Sequence, residues 1–193
     1  MPTLHFSHAL TRMRAPIAKY AAAALLLCGM AHAALPIGAP APDFSLQAAL
    51  AGKAYSFSLQ QALSKGPVVV YFYPKSFTSG CTAEAHAFAE AAPQFAALGA
   101  SVIGVSHDDI ATQKEFSRLE CRDKFPVAAD ADAQVLKSYD AALRVMPNTA
   151  ARVSYVIAPQ GKVLYVYDSM NPEQHVANTL KAIQDWRTQN KAP

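Results

Sequence analysis

The chain has 193 residues, 52% of them hydrophobic and 16% charged, which supplies a core for one globular domain and excludes a disordered tail. Its formal net charge is +3, but three of the 17 basic residues and none of the 14 acidic ones fall within positions 1–33, so the remainder carries 14 of each sign. A balanced charge gives no electrostatic footprint for nucleic acid or an anionic membrane, and neither is expected as a partner.

Arg12, Arg14 and Lys19 precede an uncharged run, Ala21 to Met30, that ends in Ala31-His32-Ala33. This is the order of a secretory signal peptide, and the run is about half of the roughly 20 residues a membrane-spanning helix needs. Leu27 stands where a lipoprotein cleavage site would carry a small residue, so Cys28 is read as leaving with the leader. The expectation is removal of residues 1–33, export to a bacterial periplasm, and a single soluble domain over residues 34–193. Two cysteines remain, Cys81 and Cys121, in a compartment where disulfides persist.

After the Pro-rich lead-in Leu35 to Pro42 there is no repeat and no linker. Pro67 to Tyr73 is a continuous β-branched and aromatic run, the pattern of a central strand buried on both faces, and Pro74 ends it. Phe88, Ala92, Phe95 and Leu98 then recur at helical spacing up to Gly99, with Pro93 expected to kink the helix. Cys81 falls in the first turn of that helix. Ser101 to Ser106 is a second buried strand, Asp108 or Asp109 caps a helix running to about Glu120, and Ala133 to Tyr139 is a short helical stretch. Arg152 to Ile157 and Lys162 to Tyr167 form an antiparallel hairpin around Ala158-Pro159-Gln160-Gly161. The last helix takes Asn171 as its N-cap and Pro172 at its first position, with Val176, Leu180 and Ile183 on one face. A βαβ unit followed by a ββα unit is the thioredoxin-like arrangement: an α/β fold with a central mixed sheet flanked by helices.

A thiol attacks only as the thiolate, and a free cysteine titrates at about 8.5, so a reactive one needs an electropositive setting. The unpaired N–H groups at a helix start supply part of it for Cys81. Attack on a peroxide releases hydroxide or alkoxide, which needs nearby donors; Thr78 and a cation are the candidates.

Tyr71-Phe72-Tyr73-Pro74-Lys75-Ser76-Phe77-Thr78-Ser79-Gly80-Cys81-Thr82-Ala83-Glu84 resembles the active-site segment of peroxiredoxins of the bacterioferritin-comigratory, PrxQ-like group. The similarity runs from Gly38-Ala39-Pro40-Ala41-Pro42-Asp43-Phe44-Ser45-Leu46 to Arg152-Val153-Ser154-Tyr155-Val156-Ile157. The family's proline, threonine and peroxidatic cysteine fall on Pro74, Thr78 and Cys81, and its active-site arginine on Arg152. Glu84 resembles the acidic residue that braces this arginine. Ser76 and Phe77 replace acidic residues usual in the group, and Ser79 replaces a frequent proline. His86 occupies the place, five residues after Cys81, where many members carry a resolving cysteine. Other members carry it on the following helix, where Cys121 lies.

The resemblance implies a hydroperoxide substrate, a Cys81 sulfenic acid, its condensation with Cys121, and reduction by an external thioredoxin-like dithiol protein. It also implies no bound cofactor or metal, and a monomer. Forming the disulfide needs the two Cα atoms within roughly 7 Å, so local unfolding around Cys81 is expected.

Three other readings stand beside this one. A disulfide oxidoreductase of the thioredoxin kind needs a second cysteine where Glu84 stands. A copper chaperone or redox-responsive binding module would use the thiols with His86 or His107. A one-cysteine peroxidase would leave Cys121 a buried or structural thiol.

Overall fold

The computed structural model describes Met1 and residues 34–190, so the expected leader, apart from Met1, lies outside the described residues. Strands β1 (Ser45–Leu50) and β2 (Lys53–Ser58) form an antiparallel hairpin. Ala51 and Gly52 close it at φ 51° and 75°, the left-handed geometry of a tight two-residue turn. The hairpin has little sequence signal, since Ala51 stands where Asn or Asp would announce the turn and most of β2 is exposed. Ser58 caps the short helix α1 (Leu59–Leu63), its hydroxyl accepting from Gln61 N.

Strand β3 (Val68–Phe72) is buried at every position. Val68, Val70 and Phe72 enter one hydrophobic cluster, while Val69 and Tyr71, with Tyr73 beyond the strand, enter another. The period of two therefore sends alternate residues to two cores, and a run without polar positions is the result. Helix α2 (Ser79–Ala97) follows and runs through Pro93. Strand β4 (Ser101–Ser106) lies parallel to β3, and helix α3 (Ile110–Leu119) is capped by Asp109, whose carboxylate accepts from Thr112 N.

Strand β5 (Val127–Ala129), absent from the sequence expectation because three residues carry no readable period, pairs with both β4 and β1. Helix α4 (Gln134–Ser138) precedes a small ribbon of β6 (Ala142–Leu143) and β7 (Met146–Ala150). Strands β8 (Val153–Ile157) and β9 (Val163–Asp168) make the expected hairpin. A 3-10 turn (Pro172–Gln174), with Asn171 as its N-cap, leads into helix α5 (His175–Gln189).

The seven-stranded sheet has the order β2-β1-β5-β4-β3-β8-β9 and is mixed, with β3, β4 and β5 parallel and the other pairings antiparallel. Residues of α2, α3 and α5 fill one core and residues of α1 and α4 the other, which is the thioredoxin-like layering expected. From Ala34 onward the described residues belong to one compact unit. Among the described residues no helix is long and apolar enough to cross a membrane.

Candidate active site

The site is built where the fully buried strand β3 feeds its helix. Thr78 is the N-cap of α2 in extended conformation, and its side chain makes no capping bond. Its hydroxyl instead donates to Lys75 O at 2.9 Å. The first N–H groups of α2 therefore have no side-chain competitor from the cap, and Cys81, in the first turn, sits where their partial positive charge is greatest. Thr78 itself is exposed. With its proton shared with Lys75 O, the hydroxyl oxygen keeps lone pairs that can accept a hydrogen bond.

Cys81 is 1% exposed. Arg152, one residue before β8, points Nη2 at Cys81 Sγ from 3.4 Å, and its Nη1 pairs with Glu84 Oε2. Nε of the same guanidinium donates to Met170 O at 3.1 Å. The fork is thus held on three sides, with Glu84 one helical turn after Cys81. Burial alone would lower the Arg152 pKa, but the charges of Glu84 and Cys81 outweigh it and the net shift is upward. Burial raises Glu84 from 4.5 to about 8 against the opposing pull of Arg152. Its second oxygen, Oε1, is buried with no hydrogen-bond partner; burial is the cause that makes the carboxyl resist ionisation.

The loop before α2 is anchored from below. Ser76 N donates to Asp108 Oδ2 at 2.8 Å, and Tyr73 Oη donates to Gln113 Oε1 at 2.8 Å. Phe77 adopts φ 64° and sets its ring edge-on against Phe116, with centroids 5.2 Å apart. Pro74, half-buried, ends the strand as expected. Beneath Cys81, Tyr71 stacks on Phe88 at 4.5 Å and lies over Gly104, where a Cβ would come within 2.7 Å of the ring.

Cys121 follows the end of α3, fully buried, in the same apolar cluster as Cys81. Both are free thiols. Burial, with Glu120 and Asp123 adding negative charge, pushes the Cys121 thiol well above its usual range. Arg122 and Asp123, the residues after it, both take positive φ, 51° and 59°. His86 is half-buried on α2 and pairs with Glu120 Oε2 at 2.6 Å, while His107 Nδ1 contacts Asp130 O at 3.0 Å. Among the described residues no group of three or more His, Cys, Asp and Glu side chains is placed to hold a metal ion.

Residues 37–166, more than half the chain, match the AhpC/TSA family. The chain belongs to the AhpC/TSA family. Within it, the resemblance to the PrxQ-like peroxiredoxins is upheld by relatives from plants. Chloroplastic peroxiredoxin Q of Oryza sativa subsp. japonica is 37% identical over 148 residues, covering 76% of this chain and 66% of that protein. Chloroplastic peroxiredoxin Q of Triticum aestivum is 36% identical over 149 residues, covering 77% and 66%. This AhpC/TSA chain therefore spans 66% of the length of those relatives. The peroxidoxin BcpB of Mycobacterium tuberculosis superposes with a TM-score of 0.71 at 30% identity, over 78% of this chain and 97% of that one. A PrxQ variant of Xylella fastidiosa shares the fold, with a TM-score of 0.71 at 22% identity over 80% and 98%.

These relatives overturn one expectation. The peroxiredoxin Q relatives named above are chloroplastic proteins, which contradicts the periplasmic destination expected from residues 1–33. The physical reason lies in the signal used: a basic, acid-free leader is shared by secretory and organelle addresses.

His175, Met170 and Gly80 also belong to the site and escaped the sequence reading. His175 is the first residue of α5 and bonds Ser154 and Ser169, and no periodicity or motif near it marks a contact with α2. Gly80 could have been found from its place beside Cys81, since a Cβ there would stand 3.1 Å from Arg152 Nη2.

Proposed function

We propose that this chain is a thiol peroxidase whose catalytic unit is the single domain of residues 34–193, acting as a monomer on hydrogen peroxide and organic hydroperoxides. The observation that carries the reading is the Arg152 Nη2 contact with Cys81 Sγ at 3.4 Å, made at a helix N-terminus. A guanidinium and the amides of a helix start favour the thiolate and then bind the oxygen charge that develops as O–O breaks. Thr78, facing outward with free lone pairs, accepts the hydroperoxide O–H and orients it; Pro74 holds the loop and limits water around the sulfur.

The Cys81 thiolate attacks the terminal oxygen of ROOH, S–O forms, O–O breaks, and the departing RO⁻ takes a proton to leave as ROH. Cys81 is then a sulfenic acid. The Cys121 thiol attacks that sulfur, water leaves, and a Cys81–Cys121 disulfide forms. A thioredoxin-like dithiol protein reduces it by thiol–disulfide exchange. Cys121 is buried and its thiol resists ionisation, so resolution requires the first turn of α2 and the turn after α3 to open.

The test is the mass of the reduced protein and its Cys121→Ser variant after one equivalent of hydrogen peroxide, with a sulfenic-acid trap present. Loss of two protons in the wild type and a trapped Cys81 in the variant are expected. An unreactive Cys81 in both would overturn the reading. A Cys121→Ser variant that turns over normally with a dithiol protein would leave a one-cysteine peroxidase.

A further inference from the structure

His175 is fully buried at the start of α5. Its Nε2 lies 2.9 Å from Ser169 O, a group that can only accept, so Nε2 carries the ring proton. Nδ1, 2.8 Å from Ser154 Oγ, therefore accepts the serine hydroxyl. The same Nδ1 stands 3.6 Å from Glu84 Oε1, the carboxyl oxygen that lacks a hydrogen bond. The Ser169 contact also fixes the turn leaving β9, and the next carbonyl in that turn, Met170 O, holds Arg152 Nε. One imidazole thus fixes the turn whose Met170 carbonyl supports the guanidinium that faces Cys81, and it lies against the Glu84 carboxyl without a hydrogen bond to it.

We propose that His175 is a positioning residue for Cys81, setting the Arg152 guanidinium through the Ser169–Met170 turn. This rests on the peroxidase reading and deepens it. Packing alone would not call for a histidine here, because a buried imidazole must be hydrogen-bonded at both nitrogens to avoid a penalty that an apolar side chain of similar size does not incur. The titratable and charged groups facing the ring are Glu84 from α2, Arg152 from the residue before β8, and Tyr167 from β9, whose ring is edge-on at 4.8 Å. Burial first, and Arg152 second, hold His175 down from 6.5 to about 4 against the Ser169 bond, so near neutral pH the ring adds no second positive charge beside the guanidinium.

The experiment compares His175→Leu, His175→Gln and His175→Asn in a Cys121→Ser background, measuring the ultraviolet thiolate titration of Cys81 and its rate with hydrogen peroxide across pH. Glutamine places an N–H where Nε2 donates to Ser169 O, whereas asparagine reproduces only the Nδ1 side. We expect the leucine and asparagine variants to raise the Cys81 titration midpoint and slow the peroxide step by at least about tenfold, because small displacements of a positioned group are costly. Glutamine should recover most of both. If leucine fails to fold, the glutamine and asparagine variants carry the comparison. A wild-type midpoint and rate in the asparagine variant, or equal losses in glutamine and asparagine with an unmoved midpoint, would overturn the positioning role. A parent protein whose Cys81 ionises yet ignores peroxide would instead sink the peroxidase reading itself, so the two failures are distinct.

Discussion

Arg152 Nη2 stands 3.4 Å from Cys81 Sγ while Nη1 of the same guanidinium pairs with Glu84, three residues after that cysteine. One planar fork therefore ties the Cys81 thiol to its own helix from outside it. A guanidinium does this where an ammonium would not, because its donors diverge at fixed angles.

Replacing Arg152 with lysine keeps the charge and loses the fork. The rate of Cys81 with hydrogen peroxide should fall on the order of a hundredfold to a thousandfold, the usual loss when an aimed donor is removed. Stopped-flow kinetics near neutral pH would show it; a change under about threefold would contradict the assigned geometry.

Gly80→Ala separates stability from chemistry. Alanine is the better helix former by about 0.5–1 kcal/mol, yet its Cβ would meet Arg152 Nη2 at 3.1 Å. Glu84, Cys81 and Met170 fix the aim of that guanidinium, so the few tenths of an ångström by which it must give relieve the contact at the expense of its alignment on Cys81. Denaturation should show a stability equal to or above the parent, with slower peroxide reduction.

The two buried titrating groups predict opposite limbs of the stability profile. Glu84 is raised from 4.5 to about 8, so the folded state keeps a proton that the unfolded chain releases. Its contribution is full below about pH 4.5 and is lost as pH rises through 8. His175 is lowered from 6.5 to about 4, so its contribution is present above 6.5 and lost as pH falls through 4. The windows oppose each other from 4.5 to 6.5, and of these two groups only Glu84 contributes a decline from 6.5 to 8. Urea unfolding across pH should show that decline in the parent and a flat profile there in Glu84→Gln.

Alkylation should find the two thiols unequal. Cys121 is fully buried and its thiol is pushed up by burial, whereas Cys81 sits at a helix start beside Arg152. Iodoacetamide should modify Cys81 first, and amide exchange at the start of α2 should quicken in the disulfide form. Equal exchange in the dithiol and disulfide forms would remove the local-unfolding step and leave the peroxide step standing.

Phe88 is fully buried under the site and stacks on Tyr71 at 4.5 Å. Phe88→Ala should cost about 3–5 kcal/mol of stability through lost burial and a residual cavity, read from the denaturation midpoint.

The linear sequence determined the parts whose information is local. β3 is legible because burial on both faces leaves no polar position, α2 because its apolar residues recur at helical spacing, and Cys81 because it falls between the two. Arg152 was found through its motif, not through any period. The tertiary structure alone decided which groups meet. Arg152 lies 71 residues from Cys81, and His175 reaches Glu84 and the Ser169 turn from the start of the last helix. Strand and helix periods report only which face of an element is apolar. A buried carboxyl, a guanidinium and an imidazole are brought together by how β8, β9, α2 and α5 pack, and nothing within a few residues of any one of them encodes that meeting. The hairpin of β1 and β2 went unread for a related reason: its turn takes left-handed geometry at Ala51, a residue that gives no warning of it.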